Sequence, residues 1–122
     1  MKKVLSFFTI VFCLFSLSQS CKKNNTSAQN SQTISVTIKA KENYQYELGT
    51  FGDEEGASII QQAQHYDTSI IERKFATATY KYKPLLGYIG TDEVKLKSER
   101  GSEGASPNNK IIITTIKFTI TN

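Results

Sequence analysis

The stretch YKYKPLLGYIGTDEV, residues 80 to 94, decides how the chain is read. An alternating segment runs into Pro84, two glycines and an acidic pair follow, and alternation resumes at Val94. Proline has no N–H to give to a sheet ladder, so a strand closes there. Gly87 and Gly90 supply the positive φ that a tight crossover between two sheets requires. Tyr88 is placed to lay its ring over the end of a core while its hydroxyl stays in water. Asp92, following Gly-Thr, is placed to accept hydrogen bonds from nearby main-chain N–H groups in an Asx-type turn. Pro84, Gly87, Tyr88, Gly90 and Asp92 together read as a corner of a β-sandwich.

Outward from this corner, period-2 alternation dominates. TISVTIKA (33–40) sets Ile34, Val36, Ile38 and Ala40 on one face, and NYQYELGTF (43–51) continues with Tyr44, Tyr46 and Leu48. ATATYKYK (76–83) points Ala76, Ala78, Tyr80 and Tyr82 inward, and DEVKLKSER (92–100) does the same with Val94 and Leu96. KIIITTIKFTIT (110–121) alternates Ile112, Ile116, Phe118 and Ile120 against Lys117, Thr119 and Thr121, with Ile111 and Ile113 on the other face. The β-branched pairs Ile59-Ile60 and Ile70-Ile71, broken by YDTS, predict two short strands over 58–65 and 69–75 rather than a helix. Seven short strands with turn-rich connections predict an all-β, antiparallel sandwich over residues 33–122.

The N-terminus has a different character. Lys2 and Lys3 precede VLSFFTIVFCLFSL (4–17), fourteen nearly wholly apolar residues. As a helix these span about 21 Å, short of the roughly 30 Å hydrocarbon core, so a secretory signal over residues 1–20 is the better reading than a spanning helix. SLSQSCKK (16–23) follows, and it resembles the lipobox of bacterial lipoproteins, in the relaxed form found in Bacteroidetes. The usual aliphatic residue three places before the cysteine is replaced by Ser18, with Leu17 one step earlier. The resemblance implies that Cys21 is lipidated on sulfur and becomes the acylated first residue of the mature chain, held on the outer membrane. Three acyl chains exceed the two signals that stable anchoring needs. Residues 21–32, polar throughout apart from one alanine after the cysteine, read as the lipidated residue and a flexible tether.

This changes the composition that matters. Cys13 leaves with the signal and Cys21 carries lipid, so no disulfide supports the domain. Four of the fifteen basic residues, Lys2, Lys3, Lys22 and Lys23, lie at or before the anchor region, and the remaining eleven balance eleven acidic ones. The basic isoelectric point therefore belongs to the targeting segment and argues against a nucleic-acid partner.

The C-terminal half, TYKYKPLLGYIGTDEVKLKSERGS (79–102) followed by NKIIITTIKFTIT (109–121), resembles bacterial immunoglobulin-like and cadherin-like surface domains. The pattern is carried by Tyr80, Tyr82, Pro84, Gly87, Tyr88, Gly90, Asp92, Val94 and residues 116–120. The resemblance implies a single Ig-like sandwich and a binding or structural role in the cell envelope, without catalysis and without a cofactor.

Chemistry-bearing patterns are sparse. Asp53, Glu54, Glu55, Asp92 and Glu93 are calcium candidates by analogy with cadherin-like repeats, but their spacing is not that of a calcium loop and solvated carboxylates explain them. His65 is the lone histidine, which excludes the usual zinc cluster. His65 and Asp67, two apart on a strand, point to the same face, and no serine sits in a nucleophile-elbow context. Sugar stacking has no tryptophan to use, and Tyr44, Tyr46, Tyr80 and Tyr82 fall on the apolar phase, leaving Phe51 and Tyr66 as the exposed aromatic candidates. The loops GTFGDEEGAS (49–58) and RGSEGASPNN (100–109) are longer than hairpins need. Phe51, Asp53, Glu54, Glu55, Arg100, Ser102, Glu103, Asn108 and Asn109 are their candidate binding residues. The expected partner is another envelope protein, with a glycan of a polysaccharide-capture system as the alternative.

Overall fold

The computed structural model describes residues 28–52, 55–101 and 110–122. The expected signal peptide (1–20), Cys21 and the first part of the tether lie outside them. So do Asp53, Glu54, Ser102, Glu103, Asn108 and Asn109.

Seven strands form: β1 (Ala28–Lys39), β2 (Tyr44–Thr50), β3 (Gly56–Gln61), β4 (Tyr66–Lys74), β5 (Thr77–Pro84), β6 (Gly90–Arg100) and β7 (Lys110–Thr121). They make a four-stranded sheet in the order β1-β7-β6-β3 and a three-stranded sheet in the order β2-β5-β4. The predicted alternation positions the core. Ala78, Tyr80 and Tyr82 from one sheet face Val94, Leu96, Ile116, Phe118 and Ile120 from the other, all essentially sealed from solvent. Val94, Leu96, Ile116, Phe118 and Ile120 each contribute roughly 1.5–3 kcal/mol by leaving water. Tyr82 stacks on Phe118 across the sheets at 4.0 Å between centroids, and Tyr44 meets the same ring edge-on at 5.3 Å.

Four features depart from the sequence reading. The sheets are not wholly antiparallel: β1 runs parallel to β7, from Ala28 opposite Lys110 to Lys39 opposite Thr121. Periodicity reports which face a side chain takes but not strand direction. β1 also starts at Ala28 rather than Thr33, because its first residues are held by main-chain pairing and carry no apolar signal. Ala76 is exposed, since Lys74 pairs with Thr77 and leaves Phe75-Ala76 as a two-residue turn.

Phe51, expected at the surface, is buried. The ladder between β2 and β5 shifts register between Glu47 and Gly49, where Gly49 takes φ +101. This bulge adds one residue to β2 and reverses the inward phase beyond it. Thr50 consequently faces solvent and Phe51 turns into the core.

The connections fall at two ends. At one, here the loop end, lie the β2–β3 connection, the Phe75-Ala76 turn, the β6–β7 connection and the start of β1. At the other, the corner end, lie residues 40–43, 62–65 and 85–89 and the C-terminus.

Candidate functional site

The corner end is fastened by Asp92. Its carboxylate accepts from the main-chain N–H groups of Gln64 and His65, both at 2.8 Å, from the N–H of Glu93 at 2.9 Å and from the Tyr82 hydroxyl at 3.0 Å. The predicted role, main-chain acceptor, is met, but two of the donors come from the distant β3–β4 connection rather than from a local turn. One side chain of β6 thereby holds the 62–65 crossover and β5. The Tyr82 hydroxyl also lies 3.1 Å from the His65 carbonyl, between two acceptors. Burial, and next the hydrogen bond to Asp92, push the Tyr82 hydroxyl far above the ordinary tyrosine range. Tyr80, paired through its hydroxyl with Ser69 at 2.8 Å, is pushed up to about 12, chiefly by burial.

The quoted stretch forms the crossover above this lock. Pro84, buried, ends β5, and the Tyr88 N–H donates to the Leu85 carbonyl at 3.0 Å with Gly87 at φ +78, the pattern of a type II turn. Tyr88 covers the core edge as expected, its ring stacked on His65 at 4.0 Å and 3°. Its hydroxyl donates to the Thr91 carbonyl rather than to water alone. Gly90 has φ +146, and a Cβ there would lie 2.8 Å from the Tyr88 hydroxyl oxygen. His65 belongs to the β3–β4 connection, half-buried, with its Nδ1 unpartnered. Asp67 points elsewhere, to Lys83 at 2.9 Å, so His65 and Asp67 do not form a catalytic pair.

The crossover turns its apolar residues outward. Leu86 is 83% exposed, and Leu85, Ile89 and Tyr66 are also open to solvent at this end. Leu86, Gly87 and Ile89 form one wall of a groove of about 500 Å³, whose other wall is Lys39, Ala40, Lys41 and Glu42. The groove thus sets apolar side chains opposite charged ones. A second, polar groove of about 540 Å³ runs past Gln61, Gln64, His65, Glu93, Lys117 and Thr119. There Glu93 faces Lys117 at 3.7 Å and Lys95 at 3.8 Å, and Gln61 donates to it at 3.3 Å.

At the loop end, the candidate binding residues that are described brace one another. Phe51 lies under two guanidinium groups, Arg100 at 4.9 Å and Arg73 at 5.5 Å from the ring centre. Arg100 donates to the Leu48 carbonyl at 2.9 Å, and Arg73 to the Glu55 carbonyl at 2.7 Å. The Glu55 carboxylate accepts from the N–H groups of Gly52 and Gly101, at 2.8 and 2.9 Å. The Gly52 bond first, then Gly101 and the Arg100 charge, hold its pKa below the ordinary carboxylate value. Glu55 and Arg100 therefore tie two connections to the sheets, and their polar groups already have partners.

The exception is Phe75, which the sequence reading did not single out. It is 95% exposed at the tip of the β4–β5 hairpin, with φ +56. A two-residue hairpin turn with positive φ at its first central residue favours glycine there, and a bulky side chain in that conformation is strained. Neither composition nor alternation distinguishes it, because Phe75 follows directly on a half-polar strand.

The described calcium candidates, Glu55, Asp92 and Glu93, do not converge. Glu55 is tied beside Arg100, whereas Asp92 and Glu93 sit about eight residues back along β6, roughly 26 Å away. Among the described residues no three His, Cys, Asp or Glu side chains gather as a metal site.

No protein-family model and no curated protein sequence matches the chain. Eight chains of solved structures do match. A cysteine protease inhibitor from Entamoeba histolytica is 17% identical with a TM-score of 0.45, over 76% of this chain and 95% of its own. An endo-fucoidan hydrolase of glycoside hydrolase family 107 is 15% identical with a TM-score of 0.46, over 74% of this chain but 13% of its own. Amebosin is 18% identical with a TM-score of 0.39, over 76% and 98%. Likenesses this distant assign none of those activities to this chain.

Proposed function

We propose that the chain is a lipid-anchored, non-catalytic binding module of the bacterial envelope, tethered through Cys21 to the outer membrane and contacting another envelope protein with its corner end. The domain is read as Ig-like, a reading supported by the strand neighbours β2-β5-β4 and β7-β6-β3, with the first strand beside the last. The observation that carries the functional reading is the outward-facing trio Leu85, Leu86 and Ile89 on a crossover whose backbone is fixed by Pro84, the Leu85–Tyr88 turn and the bond from the Leu85 N–H to the His65 carbonyl at 3.0 Å. A rigid backbone presenting apolar side chains binds with little ordering penalty. Glycan capture is supported less, because Tyr44, Tyr46, Tyr80 and Tyr82 pack inward and leave no aromatic platform on a described sheet face.

Native gel electrophoresis of detergent-solubilised membranes tests this. The wild-type chain runs in a larger complex, and Leu86→Asp with Ile89→Asp releases it as the lone chain, while Lys117→Ala in the polar groove leaves the complex intact. A wild-type chain that runs alone, or a complex untouched by the double substitution, refutes the reading.

A further inference from the structure

We propose that the loop end lies against the membrane, with Phe75 seated among the lipid headgroups. This rests on the reading of Cys21 as the anchor. The parallel pairing of β1 with β7 puts Ala28 opposite Lys110, so the chain enters the domain at the loop end. Seven Cα–Cα steps separate Cys21 from Ala28, a reach of at most about 25 Å. β7 runs twelve residues from there to the corner end, roughly 36 Å. A domain standing corner-first on the membrane would hold Ala28 beyond the reach of its own tether. The direction of one strand thus excludes that pose and leaves Leu86 and Ile89 facing away from the bilayer.

Phe75 selects the upright pose over one lying on a sheet face. It projects at the same end as Ala28, since Thr77 pairs with Thr50 of β2, and the Phe51 N–H donates to the Ala76 carbonyl. Lys74 beside it and Lys110 at the start of β7 are exposed. An exposed ring next to one lysine, with a second exposed lysine at the same end of the domain, is the side-chain chemistry of the membrane–water interface, where rings sit at headgroup depth and ammonium groups reach phosphate. The positive φ of Phe75 is a strain that glycine would relieve, and a strained, wholly exposed ring at a tip points to a contact outside the domain.

The chain has no tryptophan, so a single introduced one reports its own surroundings. Full-length lipidated chain carrying Phe75→Trp or Leu86→Trp is reconstituted in phosphatidylethanolamine–phosphatidylglycerol vesicles with bromine-labelled acyl chains. The reporter at 75 is expected to shift to the blue and to be quenched at least about twofold more than the one at 86. Equal quenching, stronger quenching at 86, or an unquenched reporter at 75 overturns the proposal; the last is the result if the ring instead docks on a protein. Mass spectrometry of the same samples separates the two layers. An unmodified Cys21 brings down the anchor and the proposal with it, whereas a lipidated Cys21 with an unquenched reporter leaves the anchor standing and removes the orientation alone.

Discussion

Replacing Asp92 by alanine removes the acceptor of three donors on other elements: the N–H groups of Gln64 and His65 and the Tyr82 hydroxyl. A buried donor left without a partner costs about 1–3 kcal/mol, and bonds to a charged acceptor lie at the upper part of that range. Two relaxations reduce the sum. The Tyr82 hydroxyl keeps the His65 carbonyl as an acceptor at 3.1 Å, and the polar groove beside Gln64 and His65 admits water. The expected loss is therefore about 3 kcal/mol, within roughly 2–5, or some 12–24 °C in melting temperature for a domain of this size. Asp92→Asn loses about 2 kcal/mol, because either orientation of the amide turns its NH2 group towards at least one main-chain N–H that can only donate. Asp67→Asn, which breaks only the exposed pair with Lys83, changes stability by less than about 1 kcal/mol. Urea unfolding of a soluble form beginning at Lys22, followed by circular dichroism, reads all three. A loss below about 1 kcal/mol for Asp92→Ala refutes the idea that this carboxylate locks the corner.

Three further outcomes follow from the same geometry. Gly90→Ala places a methyl against the Tyr88 hydroxyl in a left-handed backbone, so it costs about 2 kcal/mol in thermal melts and breaks the stack on His65, read by the His65 imidazole NMR shifts. Phe75→Gly relieves the strained turn and raises stability by up to about 1 kcal/mol while weakening vesicle binding; a fall in melting temperature contradicts the turn assignment. On the alkaline side, Tyr80 has a folded pKa raised to about 12 from an ordinary value near 10, so the unfolded chain gives up that proton first. Stability is full below pH about 10 and falls between about 10 and 12, with tyrosinate absorbance from Tyr80 and Tyr82 appearing only as circular dichroism is lost. Early ionisation of all six tyrosines in a still-folded chain contradicts the burial.

The corner was legible because its residues act through their own backbone: proline without an N–H, glycines at positive φ, a short acceptor side chain. The strands were legible because each buries one face. What escaped the sequence depends on pairing between distant segments. Strand direction leaves no periodic mark, so the placement of β1 beside β7 was hidden, and with it the end at which β1 begins. The bulge at Gly49 reversed the phase for Phe51, and a glycine in a strand signals such a bulge only once the partner strand is known. Glu55 and Arg100 had the composition of a binding loop, yet their partners turned out to be the main chain of Gly52, Gly101 and Leu48. The exposed ring of Phe75 became visible only with the hairpin register that isolates it.

On the two proposals above, the ends of this sandwich have different partners, lipid at Phe75 and protein at Leu86. A photo-cross-linking phenylalanine analogue, placed at position 75 and separately at position 86 in cells, tests that division directly. Irradiation is predicted to give lipid adducts at 75 and one discrete protein adduct at 86. Protein adducts at 75 with none at 86, or lipid adducts at 86, would contradict it.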